Sequence, residues 1–172
     1  MEETASGEIN TRHIRLIPTA YTMYSDHELF YNFAACITME RVLKAARDWP
    51  GGVRDVVTTF GHVKGFDHDS TSSFFNKKAS TQHGVPWERL HGKARFASQH
   101  QWDGLQAADQ YAGMLNAAIR ADRFGGYEEH HLLRIRHQIR RDSDNRTWGR
   151  GFKVIGNPGT ITSLPWWPAE GI

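Results

Sequence analysis

The amino-acid sequence predicts an α/β fold, with a small mixed sheet and helices packed on it. Residues 28–49 and 104–123 repeat apolar side chains at helical spacing, which is typical of helices with one buried face. Residues 53–63 are rich in Val, Thr and Phe and place apolar side chains on both faces, as an interior strand does. Because predicted helices and strands alternate along the chain, the α/β class is favoured.

Composition indicates a soluble globular protein. Of the 172 residues, 39% are hydrophobic and 23% are charged, which is typical of a folded chain with one domain, predicted over residues 1–158. The sequence contains no apolar run long enough for a membrane span, and its acidic N-terminus lacks the apolar core of a signal peptide. The single cysteine, Cys36, excludes an internal disulfide, so a cytoplasmic location is expected.

The first predicted elements are a strand over residues 13–17 and a helix capped by Asp26. The buried stripe of this helix is expected to contain Leu29, Phe33, Cys36, Met39 and Leu43. Glu40 falls within the stripe, where a carboxylate needs a partner. It either forms an internal ion pair, with Lys44 or an arginine, or serves as a site carboxylate.

Two acids follow the predicted interior strand. Asp67 and Asp69 lie just past its carboxyl end, where α/β folds place ligand-binding groups, so each is a candidate metal ligand. The alternative is that Asp69 or Ser70 caps a short helix over residues 71–78. A second short strand is expected over residues 93–98.

The helix over residues 104–123 carries the most informative acid, Asp109. This helix is expected to begin at a capping box of Asp103 and Gln106 and to end at Gly125-Gly126. Asp109 lies at the edge of the apolar stripe and beside small residues, so it is expected to be half-buried. Because desolvation of a carboxylate is costly, Asp109 should meet a cation, a metal ion or hydrogen-bond donors.

The next helix, predicted over residues 127–141, has an apolar side and a basic side. The apolar side contains Leu132, Ile135 and Ile139. Residues 130–153 hold seven Lys or Arg and two Asp, a net charge of +5 without the histidines. The residues expected to contact nucleic acid are Arg134, His137, Arg141 and Lys153. The alternative is an ordinary solvated face.

Two short motifs complete the chain. Residues 128–131 read Glu-Glu-His-His, and adjacent histidines point about 100° apart on a helix, so they are not expected to chelate one ion easily. The Pro/Trp-containing tail, residues 159–172, carries Trp166 and Trp167 side by side. Two adjacent tryptophans predict that the tail docks onto this domain or onto a partner.

Four segments, in order, carry a resemblance to a known family. Leu-Gln-Ala-Ala-Asp at residues 105–109 resembles the C-terminal Leu-Gln-x-Ala-Asp signature of a bacterial family, domain of unknown function 3800. Three further segments resemble parts of the same family: a helix at residues 38–43, a strand with its turn at residues 60–66, and a Gly-rich segment near the C-terminus at residues 148–154. The resemblance covers about residues 30–158, and its strength lies in the order of the segments.

The resemblance implies a ribonuclease-H-like fold and a metal-dependent nuclease that acts on or binds nucleic acid. Asp109 and Glu40 would then be catalytic, and Asp109, Asp67 and Asp69 would hold Mg²⁺ or Mn²⁺. The family's first strand opens with an aspartate, in a stretch like Asp-Glu-Ser-Gly. This chain has no such stretch, because its acids before residue 26 are Glu2, Glu3 and Glu8, none of them within an apolar strand.

The missing aspartate predicts a domain that lacks its first strands and is incomplete on its own. A second copy or a partner chain is then expected to complete the sheet, because a bare sheet edge pairs readily with another chain. The alternative is a non-catalytic subunit, or a binding module of a larger protein or nucleic-acid complex.

Overall fold

The fold is described from a computed structural model, which covers residues 26–168 and residue 172. The predicted strand over residues 13–17 lies outside these residues. Within them the chain forms five α-helices and two strands, which confirms the α/β class. In chain order they are α1 (His27–Arg47), β1 (Thr59–Gly61), α2 (His68–Thr81), β2 (Arg95–Ala97), α3 (Asp103–Ile119), α4 (Glu129–Ile135) and α5 (Gly159–Thr162). Short 3₁₀ turns occupy Trp87–Arg89, Gln99–Gln101 and Arg136–Gln138.

The described chain divides into two compact units. The first contains the described residues before Arg41 together with Gly65–Val85, and the second contains Arg41–Lys64 and the described residues from Pro86 onward. The single domain expected over residues 1–158 remains a prediction. Among the described residues, no helix is both long and apolar enough to cross a membrane.

The first unit is built on the N-terminal part of α1 and on α2. The N–H of Leu29 donates to Asp26 Oδ1 at 2.9 Å, which confirms Asp26 as the cap of α1. Cys36 and Met39 are buried, as the predicted stripe requires. The buried pair Asn32 and Thr71 joins the two helices, because the Thr71 hydroxyl donates to Asn32 Oδ1 at 2.6 Å. This bond satisfies polar groups that would otherwise be costly to bury.

The sheet lies in the second unit and is shorter than the sequence predicts. β1 and β2 are parallel, with Phe60 opposite Phe96. The strand expected over residues 53–63 is reduced to Thr59–Gly61, and within the described residues only an isolated bridge, Val56 to Leu90, precedes it. In the described part of the chain the sheet is therefore parallel rather than mixed.

The core of the second unit lies between α3, α4 and the tail. Its buried members are Ala118, Leu132 and Ile172, and the half-buried side chains of Leu115, Ile135, Ile139, Trp166 and Trp167 pack against them. The tryptophan pair thus docks onto its own unit, the first of the two predicted alternatives. Trp167 also lies 5.5 Å from the Trp148 ring, measured between centroids.

Three predicted helix boundaries are wrong. The helix expected to run to residue 123 and end at Gly125-Gly126, α3, already ends at Ile119. Asp103 does not cap α3 but is its first residue, and Trp102 occupies the capping position without a side-chain hydrogen bond. The helix expected over residues 127–141 is only Glu129–Ile135, followed by the 3₁₀ turn Arg136–Gln138. Helical periodicity in the sequence extends past the helix because a 3₁₀ turn at its end keeps a similar spacing of side chains.

Candidate nucleic-acid interface

A five-residue turn, residues 122–126, brings the chain from α3 to α4 and is called the first Asp turn. The backbone N–H groups of Phe124 and Gly126 donate to Asp122 Oδ1 at 2.7 and 2.8 Å. The N–H of Asp122 donates to the carbonyl of Gly126 at 2.8 Å, which closes the turn. Gly125 has φ +81°, a left-handed conformation that glycine adopts without steric cost.

Glu128 and Leu132 anchor the segment that follows the first Asp turn. The N–H of Glu128 donates to the carbonyl of Ala117 in α3 at 3.1 Å. Leu132 is 4% exposed and packs against Ala118 and Ile172. With these apolar residues turned inward, Arg134, Arg136 and His137 are left exposed to solvent.

A second turn, residues 142–146, ends this part of the chain and is called the second Asp turn. The N–H groups of Asp144 and Arg146 donate to Asp142 Oδ1 at 3.0 and 2.9 Å. The N–H of Asp142 donates to the carbonyl of Arg146 at 3.0 Å, and Asn145 has φ +63°. The two Asp turns therefore share one hydrogen-bond pattern and lie on either side of α4 and its 3₁₀ turn.

Ion pairs neutralise part of the basic segment, defined as residues 130–153. Arg140 Nη2 lies 2.9 Å from Asp48 Oδ2. Arg146 lies 3.2 Å from Asp142 and 2.6 Å from Asp144. Arg150 lies 3.9 Å from Asp142, so these contacts engage three of the arginines that the sequence counts as positive charge.

Hydrogen bonds keep the paired carboxylates ionised. The side chain of Arg47 donates to Asp48 and, with Arg140, lowers the pKa of Asp48 to about 2. The backbone N–H of Arg146 lowers the pKa of Asp142, and the Arg146 side chain adds to the shift. Both acids are therefore charged at neutral pH and hold their arginines in place.

Three cations of the basic segment have neither an ion pair nor a side-chain hydrogen bond among the described residues: Arg134, Arg136 and Lys153. All three are exposed. Arg141, which is half-buried, instead donates to the carbonyl of Asn145 at 3.0 Å. Of the predicted nucleic-acid contacts, Arg134 and Lys153 are thus exposed cations, whereas Arg141 braces the second Asp turn.

One exposed aromatic ring contacts the basic segment through its hydroxyl group. Tyr111 of α3 is 44% exposed, and its hydroxyl donates to Gln138 Oε1. Gln138 directly follows His137, whose Nδ1 lies 3.1 Å from the carbonyl oxygen of Arg134. The hydrogen bond holds a half-exposed ring next to the basic segment, and stacking of bases on such rings is common in single-strand binding.

Asp109 does not occupy the half-buried position predicted for it. It is exposed, as are Ala108 and Ala112 beside it. Tyr111 is two positions further along α3, so the two side chains leave the helix about 200° apart. Asp109 therefore points away from the side of α3 that faces Gln138. The expected burial of Asp109 is wrong because α3 packs through its C-terminal part, where Ala118 is buried.

The other predicted site acids belong to the first unit. Asp67, not Asp69 or Ser70, caps α2, since its side chain accepts from the N–H of Asp69 at 2.9 Å. Glu40 is half-buried and accepts a hydrogen bond from Gln82 Nε2 at 3.3 Å. Because Asp109 belongs to the second unit, its convergence with these acids remains a prediction.

The chain was compared with models of known protein families, with curated proteins and with solved structures. None of them matches it. The resemblance to domain of unknown function 3800, and the ribonuclease-H-like fold that it implies, therefore remain predictions.

Two features of the second unit were not predicted from the sequence. The first is the pairing of Arg140 with Asp48, which are far apart in the chain. The second is the pair of Asp turns. Their signal is present in the sequence, since each begins with an aspartate and has glycine or asparagine three positions later, residues that tolerate a positive φ.

Proposed function

We propose that this protein is a non-catalytic nucleic-acid-binding module whose basic segment contacts the phosphate backbone. The observation that supports the proposal is the separation of its cations into two groups. Arg140 and Arg146 are neutralised by aspartates, whereas Arg134, Arg136 and Lys153 are exposed and have no carboxylate partner among the described residues.

The unpaired cations account for affinity for nucleic acid, and Tyr111 accounts for a preference for single-stranded over double-stranded nucleic acid. Arginine and lysine that neutralise phosphates release counterions, so binding is salt-dependent and independent of sequence. The exposed ring of Tyr111, held by Gln138, offers a surface on which an unpaired base stacks. We therefore expect single-stranded DNA or RNA to bind more tightly than a duplex of the same length.

The test measures binding of labelled single strands by fluorescence anisotropy across a salt series. We expect Arg134→Ala and Arg136→Ala each to weaken binding on all sequences alike. Each should also reduce the slope of log K against log salt by about 0.7, the value for one phosphate contact on a single strand. Tyr111→Phe is a further variant that keeps the ring but removes the hydrogen bond to Gln138.

The matched control is Arg146→Ala, which removes the same charge from an arginine already paired with Asp142 and Asp144. We expect it to leave the salt slope close to that of the wild type. Equal losses in Arg134→Ala and Arg146→Ala would mean that only net charge matters. Unchanged binding in Arg134→Ala, or a loss on one sequence alone, would contradict phosphate contact.

A second candidate is the ribonuclease-H-like, metal-dependent nuclease that the family resemblance implies. It is supported by the parallel pairing of β1 with β2, because parallel strands need a long crossover and the chain between them contains α2. In this proposal Asp109 and Glu40 are catalytic, and Asp109, Asp67 and Asp69 hold Mg²⁺ or Mn²⁺. A second copy or a partner chain would then complete the sheet.

Incubation with labelled DNA and RNA, with each metal in turn, separates the two candidates. Two-metal cleavage needs several carboxylates to hold ions about 3.5–4 Å apart, and Asp67 already serves as a helix cap. We therefore expect no cleavage by the isolated chain. Metal-dependent cleavage by the wild type, absent in Asp109→Asn, would instead favour the nuclease.

A further inference from the structure

Three side chains at the start of α4 bring metal-ligating atoms together. Glu128, His130 and His131 each offer one donor atom, and these atoms lie within 4.8 Å of one another. Their donors are one carboxylate oxygen and two imidazole nitrogens. All three side chains are exposed to solvent.

The two histidine rings meet although they are adjacent in sequence. Backbone positions on a helix diverge by about 100° per residue, which is why the sequence predicts that the pair does not share an ion. The rings of His130 and His131 nonetheless lie 3.8 Å apart between centroids, with their planes inclined by 43°. Rotation about the side-chain bonds thus overcomes the divergence of the backbone.

The backbone beneath the cluster is anchored on both sides. The N–H of Glu128 donates to the carbonyl of Ala117, and Leu132 is buried against Ala118 and Ile172. The donor atoms therefore stand on fixed backbone, and only side-chain rotations are needed to adjust them. A metal ion that draws them together need not move α4.

One distance already matches a four-coordinate ion. With bonds of about 2.0–2.1 Å at tetrahedral angles, two ligand atoms of a zinc ion lie about 3.4 Å apart. The separation of His130 Nδ1 from Glu128 Oε2 is 3.4 Å. As an ion pair, this exposed contact contributes little to stability.

We propose that Glu128, His130 and His131 bind one transition-metal ion of the zinc class, with water in the fourth position. Two imidazoles and one carboxylate form the donor set of zinc sites that keep an open position. Mg²⁺ is disfavoured, because it prefers oxygen ligands in octahedral geometry. The site shares no residue with Arg134, Arg136 and Lys153, the cations proposed to contact phosphates, or with the Mg²⁺ site expected around Asp109.

The test titrates Zn²⁺ into protein freed of any affinity tag, measured by calorimetry and by competition with a zinc indicator dye. The wild type should bind one equivalent. Changes to groups around metal ligands typically cost 10–100-fold in affinity, so loss of a ligand itself in His130→Ala, His131→Ala or Glu128→Gln should weaken binding at least about tenfold. The matched controls are Glu129→Gln and His91→Ala, which should bind as the wild type does.

Co²⁺ gives a second measurement, because its visible absorption reports coordination geometry. We expect a four-coordinate spectrum in the wild type that disappears in His130→Ala. Absence of Zn²⁺ binding in the wild type would overturn the proposal, and so would equal binding in the three ligand variants. Since no nucleic acid is present, either result leaves the proposed binding module to its own test.

Discussion

The two Asp turns have the same backbone and different surroundings. In each, the first carboxylate accepts two backbone N–H groups and the fourth residue has a positive φ. Asp122 of the first turn has no ion pair among the described residues. Asp142 of the second turn pairs with Arg146 and lies 3.9 Å from Arg150. One local motif therefore serves once as a chain reversal and once as a centre of negative charge.

The comparison shows how the charge of the basic segment is distributed. The second Asp turn and Asp48 engage the arginines at the C-terminal end of the segment. The first Asp turn contributes no such partner to Arg134 and Arg136, which follow it. The net charge of +5 over residues 130–153 is thus presented mainly by the residues nearer the first turn and by Lys153.

The largest expected effect concerns a glycine that packs beside the second Asp turn. A Cβ added at Gly151 would lie 2.5 Å from the nitrogen and 2.6 Å from the oxygen of Arg140, whose carbonyl accepts from the N–H of Gly151. Backbone atoms cannot move aside as flexible side chains do. We expect Gly151→Ala to lower the free energy of unfolding by about 3 kcal/mol, measured by urea denaturation.

Gly126, which closes the first Asp turn, is the matched control. A Cβ there would lie 3.4 Å from Asp122 Oδ2, an ordinary contact, and its φ is not positive. We expect Gly126→Ala to change stability by less than about 0.5 kcal/mol. Similar losses in the two variants would mean that the close approach of Gly151 to Arg140 is not needed for folding.

The next effect tests the left-handed residue of each turn. A Cβ at Gly125 meets nothing within 4 Å, so Gly125→Ala isolates the backbone penalty, expected at about 1–2 kcal/mol. Asn145 already carries a side chain at φ +63°, so Asn145→Ala should cost less than about 1 kcal/mol. Urea denaturation of both variants checks the order. A larger loss in Asn145→Ala would show that the amide of Asn145 has a role beyond its backbone conformation.

The ion-paired aspartates of the second Asp turn and its neighbour Arg140 should make the stability of the fold depend on acidic pH. The pKa of Asp48 is lowered to about 2, so the carboxylate stabilises the fold above its ordinary pKa of 3.8 and loses this contribution as pH falls through both values. Its side chain is 33% exposed, and solvent screening reduces the contribution to below about 1 kcal/mol. The pKa of Asp142 is lowered too, which places its loss in the same acid range.

Asp48→Asn tests this pH dependence. We expect the variant to be less stable than the wild type at pH 7 and to approach it as the pH falls from 3.8 to about 2, where the wild-type carboxylate becomes protonated. Thermal unfolding across a pH series measures the difference. A constant difference at every pH would show that Asp48 acts through packing and not through its charge.

The sequence predicts those parts of the fold in which local signals and packing agree. As expected, Asp26 caps α1, and Cys36 and Met39 are buried. Trp166 and Trp167 dock onto the second unit, one of the two arrangements that the sequence predicts. In each case a capping residue or an apolar cluster permits few arrangements. The same reasoning overestimates the strand over residues 53–63, because apolar residues on both faces suggest burial, whereas Val53 and Val57 are each 53% exposed.

The candidate site is less predictable because it depends on side-chain torsions and distant partners. Periodicity places Asp109 at the edge of the apolar stripe of α3. It does not show how much of α3 is covered by other parts of the protein, and in the structure Asp109 is exposed. Spacing on a helix separates His130 from His131, yet their rings meet. Similarly, a count of charges cannot reveal that Asp48 engages Arg140.

The smallest expected effect concerns Phe124, which lies within the first Asp turn. The ring is 81% exposed, and the guanidinium carbon of Arg123 lies 4.7 Å from its centroid. Exposed cation–π contacts contribute only about 0.5–1 kcal/mol, and loss of the ring removes little buried area. We therefore expect Phe124→Ala to lower the free energy of unfolding by about 0.5 kcal/mol, the low end of that range.

Phe152, which follows the second Asp turn, gives the contrasting measurement. Its ring lies 5.3 Å from that of Trp148 and 5.8 Å from that of Trp167, and it is half-buried. We expect Phe152→Ala to cost about 2 kcal/mol, less than a fully buried phenylalanine, when both variants are unfolded in urea. Equal losses in the two variants would contradict the contrast between the two rings. In that contrast Phe124 is exposed to solvent, whereas Phe152 packs within the second unit. If only Phe152→Ala lowers the free energy of unfolding, the exposed ring of Phe124 in the first Asp turn does not contribute to the stability of the fold.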